Sequence, residues 1–105
     1  MTDSEFEVLA DAALAAVERA VEGLDLDLQR KAAGVLELEF GDGSKMIVNR
    51  HAAAREIWVA ARSGGFHFRH DGRAWRDTRD GTELFAALSR LVSAQSGNLV
   101  RLAPG

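Results

Sequence analysis

The sequence predicts an α+β protein in which two helices pack on one face of a five- to six-stranded antiparallel sheet. Three observations support this prediction. Both ends of the chain carry the hydrophobic periodicity of amphipathic helices. The middle alternates apolar and polar residues with a period of two, as strands with one buried face do. The turns between these strands are short, and strands that follow one another through short turns pair antiparallel.

The first helix is predicted over residues 3–23. Thr2 or Ser4 can cap its first turn, because each is followed three residues later by a glutamate that completes a capping box. At about 100° per residue the apolar side chains fall on one broad stripe, which predicts a buried face. The stripe consists of Phe6, Leu9, Ala10, Ala13, Val17, Ala20, Val21 and Leu24.

The strands are predicted from alternation and from the turns that separate them. Asp42-Gly43 and Asp71-Gly72 are strong hairpin signals, since aspartate and glycine tolerate the backbone angles of tight turns. The prediction of the first strand has the least support, because it depends only on Leu26 and Leu28 lying on the same face of a strand. The predicted strands cover residues 26–31, 35–40, 45–50, 55–61, 66–70 and 73–77.

The second helix is predicted over residues 82–96. Asp80 with Glu83 resembles a capping box at its start, and Gly97 ends it. Its apolar stripe consists of Leu84, Phe85, Leu88, Leu91 and Val92. A chain of 105 residues without repeats, linkers or low-complexity segments is expected to form one domain, residues 1–105.

Composition excludes several classes of function. The chain has no cysteine, which rules out disulfides, a thiolate nucleophile, a zinc ribbon and a cysteine-ligated iron–sulfur cluster. No apolar run reaches the ~18 residues of a membrane span, and the N-terminus lacks the basic-then-apolar pattern of an export signal. We therefore expect a cytoplasmic protein with no membrane partner. The glycines form no phosphate-binding loop, which argues against a nucleotide enzyme.

The net charge of −3 conceals an uneven distribution. Residues 1–27 contain 8 acids and 1 base, a balance of −7, whereas residues 28–105 contain 8 acids and 12 bases, a balance of +4. The acidic first quarter argues against nucleic-acid binding, which requires clustered positive charge. It favours a cation or a basic protein as the partner.

A row of carboxylates lies beside the apolar stripe of the first helix, within roughly 60° of arc. The row consists of Glu7, Asp11, Glu18 and Glu22, and Asp25 and Asp27 extend it if they occupy alternate positions of the first strand. Acids in the last turns oppose the helix dipole, so helix stability explains Glu18 and Glu22 poorly. Oxygen ligands on an open surface suit hard cations or a basic partner, and the plain alternative is a solubilising surface.

The three histidines do not form a recognisable site. His67 and His70 are separated by an odd number of residues on one strand, so they should point to opposite faces. His51 follows another strand and has no serine or cysteine nucleophile beside it. We expect all three to be structural or merely exposed.

Trp58 is predicted to lie on the face of the sheet that the helices leave open, because Ile57 and Val59 should point inward. The neighbouring polar residues Asn49, His51 and Glu56 are expected at that face or its edge. A bulky aromatic ring among polar groups is typical of a protein interface, and the alternative is a ring folded down to shield the sheet. Trp75 lacks this context and is assigned to the core.

Several strings of the sequence resemble the frataxin family, and together they span essentially the whole chain. They are Leu38-Glu39-Phe40-Gly41-Asp42-Gly43-Ser44-Lys45, Val48-Asn49-Arg50, Ile57-Trp58-Val59-Ala60 and Gly64-Gly65-Phe66-His67-Phe68, with Asp3-Ser4-Glu5-Phe6 and Gln95-Ser96-Gly97 near the ends. The Asn-Arg and Ile-Trp elements with their spacing are specific in combination.

The resemblance implies an α-β sandwich and a role in iron–sulfur cluster assembly. Family members bind Fe²⁺ and Fe³⁺ weakly through acids of the first helix and strand, and bacterial members resemble regulators of cysteine desulfurase rather than enzymes. They dock on the desulfurase and on its scaffold protein through that acidic surface and the exposed sheet face. The implied metal ligands, called here the acidic ridge, are Glu7, Asp11, Glu18, Glu22, Asp25 and Asp27. The implied partner-binding residues are Glu18, Glu22, Asn49 and Trp58.

The chain departs from the family pattern at four positions. His51 and Ala53 stand where the family often has glutamine and proline, and Glu56 replaces the usual glutamine before Ile-Trp. Arg19 stands where bacterial relatives often carry an acid, which makes the ridge a poorer cation site. The alternatives are a ferroxidase or iron-storage protein and a metal-independent interaction module. We expect a monomer.

Overall fold

The computed structural model describes all 105 residues, which form two helices and one six-stranded sheet. The elements are α1 (Asp3–Val21), β1 (Asp27–Ala32), β2 (Val35–Glu39), β3 (Lys45–His51), β4 (Glu56–Ala61), β5 (Gly64–His70), β6 (Trp75–Asp77) and α2 (Leu84–Ser96). The strands follow chain order across the sheet, and every neighbouring pair is antiparallel. The predicted α+β class is confirmed, with the larger of the two expected strand numbers.

The core lies between the two helices and one face of the sheet. It contains 23 buried apolar residues, which include alternate residues of β2, β3 and β4, as expected of strands with one buried face. Those strand residues are Leu36, Leu38, Met46, Val48, Ile57 and Val59. The opposite face, called here the open face, has no helix packed on it. Neither helix is long and apolar enough to cross a membrane.

Helix α1 begins as predicted and ends earlier. The Thr2 hydroxyl accepts a hydrogen bond from the Glu5 backbone N–H at 3.1 Å, and the Glu5 carboxylate accepts one from the Thr2 N–H at 2.8 Å. These two bonds form the capping box, and they lower the pKa of Glu5. The helix ends at Val21 because Glu22 already has extended backbone angles and Gly23 turns the chain at φ +83°.

The predicted cap of α2 is wrong by three residues. Glu83 is the N-cap, and its carboxylate accepts hydrogen bonds from the backbone N–H groups of Phe85 and Ala86 at 2.8 and 3.1 Å. Asp80 instead accepts from the Thr82 N–H within the preceding turn. The helix cannot start at Thr82, because the Thr82 carbonyl accepts from the Asp77 N–H and keeps this segment extended beside β6. Gly97 ends the helix in the left-handed conformation, as predicted.

Gly34, in the turn between β1 and β2, gives the first testable prediction. Its φ is +77°, and a Cβ built there would lie 2.6 Å from Cγ of Arg50. We expect Gly34→Ala to lower the free energy of unfolding by about 1–2 kcal/mol through the left-handed backbone alone, and further because Arg50 must move. Gly23→Ala is the control, since φ is +83° there and nothing lies within 4 Å. If urea unfolding shows that the two variants lose the same free energy of unfolding, a role for the Arg50 contact is contradicted.

Candidate functional site

The structure divides the acidic ridge into two groups. Glu7, Asp11 and Glu18 on α1 pair with arginines that reach up from the sheet. The other three acids, Glu22, Asp25 and Asp27, lie where α1 gives way to β1, are exposed, and make no ion pair. Half of the predicted ligand set is therefore already paired within the protein, with two guanidinium groups set against three carboxylates.

Arg30 of β1 holds Glu18 by two hydrogen bonds. Its Nε donates to Oε1 and its Nη2 to Oε2, each at 2.7 Å, in the fork geometry that guanidinium and carboxylate favour. This contact lowers the pKa of Glu18 and raises that of Arg30. It also supplies a local reason for a carboxylate near the C-terminal end of α1, where the helix dipole is unfavourable.

Arg50 of β3 pairs with the other end of the ridge. One guanidinium nitrogen donates to the Asp11 carboxylate, and the other lies 3.8 Å from a Glu7 oxygen. The aliphatic part of the Arg50 side chain lies over Gly34, and only 21% of the side chain is exposed. The arginine thus links α1 to the sheet beneath it.

The three unpaired acids lie in different types of secondary structure. Glu22 is the C-cap of α1, Asp25 lies in the turn that follows, and Asp27 is the first residue of β1. The expected placement of Asp25 on the strand is therefore wrong. No group of three or more acids or histidines is arranged to hold one metal ion. The oxygen donors fit a hard cation held at the surface by a few carboxylates and by water, and the assignment of these ligands stays a prediction.

On the open face, Trp58 lies at the centre of an aromatic cluster. The strand register pairs it with Asn49 of β3 on one side and with His67 of β5 on the other. The indole is stacked between two imidazoles, with ring centroids 3.7 Å away for His51 and 4.4 Å away for His67, and interplanar angles of 10° and 9°. Trp58 therefore lies on the open face, as predicted. Its ring is half-buried, because the neighbouring side chains also shield it.

Glu56 lies beside this stack on the same face, yet it is only 5% exposed. One carboxylate oxygen accepts from Nε1 of Trp58 at 2.8 Å and the other from Arg69 at 2.6 Å. Nδ1 of His67 lies 3.6 Å from the first oxygen. Burial raises the pKa of Glu56, but the hydrogen bonds from Trp58 and Arg69 outweigh it, so the pKa is lowered.

The sequence predicted His51 and Glu56 at the open face or its edge, and both contact Trp58 there, but it predicted neither the stacking of the rings nor the part of His67. The shared parity of residues 56 and 58 on β4 was the available signal, and the register across β3 and β5 adds His51 and His67. His70 points to the opposite face, as predicted, and packs edge-on against buried Trp75 at 5.2 Å.

Comparison with known proteins decides the family. A model described as a frataxin-like domain matches residues 1–98. The chain belongs to the frataxin family. The iron-sulfur cluster assembly protein CyaY of Dechloromonas aromatica is 59% identical over 97% of this chain and 99% of that protein. The protein of the same name from Paraburkholderia phymatum is 50% identical over 99% of this chain and 100% of its own length.

Solved frataxin structures share the fold. Frataxin from Psychromonas ingrahamii superposes with a TM-score of 0.89 at 33% identity, covering 98% of this chain and 99% of that one. Trimeric frataxin from the yeast Saccharomyces cerevisiae, complexed with ferrous iron, superposes with a TM-score of 0.66 at 26% identity, covering 90% and 87%. In this member of the frataxin family, the acidic ridge and the Trp58 cluster therefore lie on a scaffold common to frataxins.

Proposed function

We propose that this chain is an iron-binding regulator of iron–sulfur cluster assembly, which docks on cysteine desulfurase and its scaffold protein in the bacterial cytoplasm. The names of its relatives and the iron-complexed yeast frataxin support the pathway and the metal. The observation that carries the docking proposal is the unpaired acidic end of the ridge at Glu22, Asp25 and Asp27. The chain acts by binding, as a monomer, and not as an enzyme.

The unpaired end of the ridge, Glu22, Asp25 and Asp27, attracts a basic surface through charge that no arginine of this chain offsets. Opposite charges across an interface raise the association rate and orient the partners, and exposed charges are screened within about 8 Å at physiological salt. Docking through the ridge is therefore expected to weaken as salt is raised. The open face supplies the second contact, for which Trp58 and Asn49 provide an aromatic ring and an amide.

Iron is expected to bind first at the unpaired acids. Addition of Mn²⁺ as a paramagnetic probe should broaden the amide signals of residues 22–27 at lower metal concentrations than those of Glu7 and Asp11, because the positive charge of Arg50 already offsets part of the charge of the latter pair. The triple variant Glu22→Gln, Asp25→Asn, Asp27→Asn should lose this early broadening. Broadening centred on His67 or His70 would show that the ridge is not the metal site.

The regulatory role is tested by desulfurase turnover, measured with and without this protein and, in each case, with and without Fe²⁺. Turnover should change when the protein is added, and the size of that change should depend on Fe²⁺. If turnover is the same in all four mixtures, the proposal fails. A metal-independent module predicts that a chelator leaves the effect intact, and a ferroxidase predicts saturable Fe²⁺ oxidation faster than in buffer alone.

A further inference from the structure

Glu56 is a buried carboxylate on a face of the sheet that no helix covers. Glutamate is almost never fully buried unless it is paired, and here both oxygens are satisfied by neighbouring side chains. The partners come from two strands, Trp58 from β4 itself and Arg69 from β5. This carboxylate therefore joins the open-face side chains into one network.

The network fixes the orientation of Trp58. Both faces of the indole are covered by imidazoles at 3.7 and 4.4 Å, and its Nε1 edge is bonded to Glu56 at 2.8 Å. His51 is itself held, because its Nδ1 accepts a hydrogen bond from the Ala54 N–H at 3.2 Å. The indole is consequently held in one orientation on the open face before any partner arrives.

We propose that Glu56 is a positioning residue for partner docking, which holds Trp58 in its binding orientation on the open face. The inference rests on the proposed function, in which Trp58 belongs to the open-face contact with the desulfurase and its scaffold protein. A side chain that is ordered in advance loses less conformational entropy on binding, a gain of about 2- to 10-fold in affinity for one rotamer-rich side chain. The acceptor oxygen toward Nε1 carries the effect, so a neutral amide at this position can replace the carboxylate.

The test compares Glu56→Leu with Glu56→Gln in titrations of the complex of cysteine desulfurase with its scaffold protein. Leucine removes the acceptor, and affinity should fall by about 2- to 10-fold, with faster solvent exchange of the Trp58 indole proton in NMR spectra of the free protein. Glutamine keeps an acceptor, so both readouts should stay close to those of the unmodified protein. Binding of Glu56→Leu with unchanged affinity would overturn the inference, as would equal losses in the two variants.

Two further measurements separate this inference from the proposed function. The affinity of Trp58→Ala for the partner should be lower by about 30-fold or more if docking uses the open face, as expected for a central aromatic contact. If Trp58→Ala lowers the affinity and Glu56→Leu does not, docking through the open face is supported and only the positioning role of Glu56 is refuted. No loss for Trp58→Ala refutes both. If Glu56→Leu does not fold, indole exchange in the unmodified protein decides, and a Trp58 proton that exchanges as fast as in an unstructured peptide contradicts the inference.

Discussion

Replacing Glu18 and Glu22 with lysine in one variant should weaken desulfurase binding at least about tenfold at low salt, which corresponds to 1.4 kcal/mol or more. The substitution turns two negative charges into two positive ones at the end of the ridge where the unpaired acids lie. It also releases the Arg30 guanidinium from its bond to Glu18 and so adds a third uncompensated cation. A binding titration at two salt concentrations measures the effect, and the difference from the unmodified protein should shrink at high salt.

Arg19→Glu is the matched control for this charge reversal. Arg19 is exposed on α1 next to Glu18 and makes no ion pair, so the variant changes charge in the opposite direction without removing a contact. Its affinity for the desulfurase should rise. The fold should survive in both variants, since exposed ion pairs such as Glu18–Arg30 contribute about 0–1 kcal/mol to stability. Unchanged affinity of the lysine variant at low salt would contradict docking through the ridge.

The sequence predicted the ridge as a surface but not its internal counter-ions. Arg30 has the parity of Leu28, and Arg50 has the parity of Met46 and Val48, so both arginines belong to the face that carries the core. A guanidinium group at an inward position of a strand needs an acidic counter-ion. On this face of the sheet the acids of α1 are close enough to supply one. Alternation along the strands could have identified these pairs, but the helix position over the sheet comes only from tertiary structure.

The errors at element ends have one common physical origin. Aspartate is a favoured N-cap residue and glutamate is not, so the local sequence favoured Asp80 over Glu83, the N-cap of the structure. The choice is made by the hydrogen bond from the Asp77 N–H to the Thr82 carbonyl, which joins residues distant from the helix interior. In the same way Asp25 precedes the strand because pairing of β1 with β2 starts at Asp27 opposite Glu39.

The Trp58 cluster was predictable in part. Alternation placed Trp58 on the open face, and short hairpins fixed the neighbouring strands in an antiparallel order. The register that brings His67 beside Trp58 depends on the length and type of the hairpin turn. The burial of Glu56 depends on side-chain orientations that no pattern in the sequence encodes.

Phe68→Ala is expected to have the largest effect on stability, a loss of about 3–5 kcal/mol in the free energy of unfolding. Phe68 is fully buried on the inner face, where its register partners are Ile57 of β4 and Asp77 of β6. Removal of its ring leaves a cavity that rigid strands on both sides cannot close. Small domains have total stabilities of about 5–15 kcal/mol, so the loss should appear as a large shift of the urea midpoint with an unchanged slope.

His67→Ala is the control, one residue away on the same strand. His67 is exposed and stacks on Trp58, so its removal should cost about 1 kcal/mol or less, the value typical of an aromatic pair beyond its buried area. A slip of one residue in the register of β5 would exchange the faces of all its side chains and reverse the order of the two losses. Because His67 is the register partner of Trp58, the same pair of measurements tests whether the indole faces away from the helices, as docking through the open face requires.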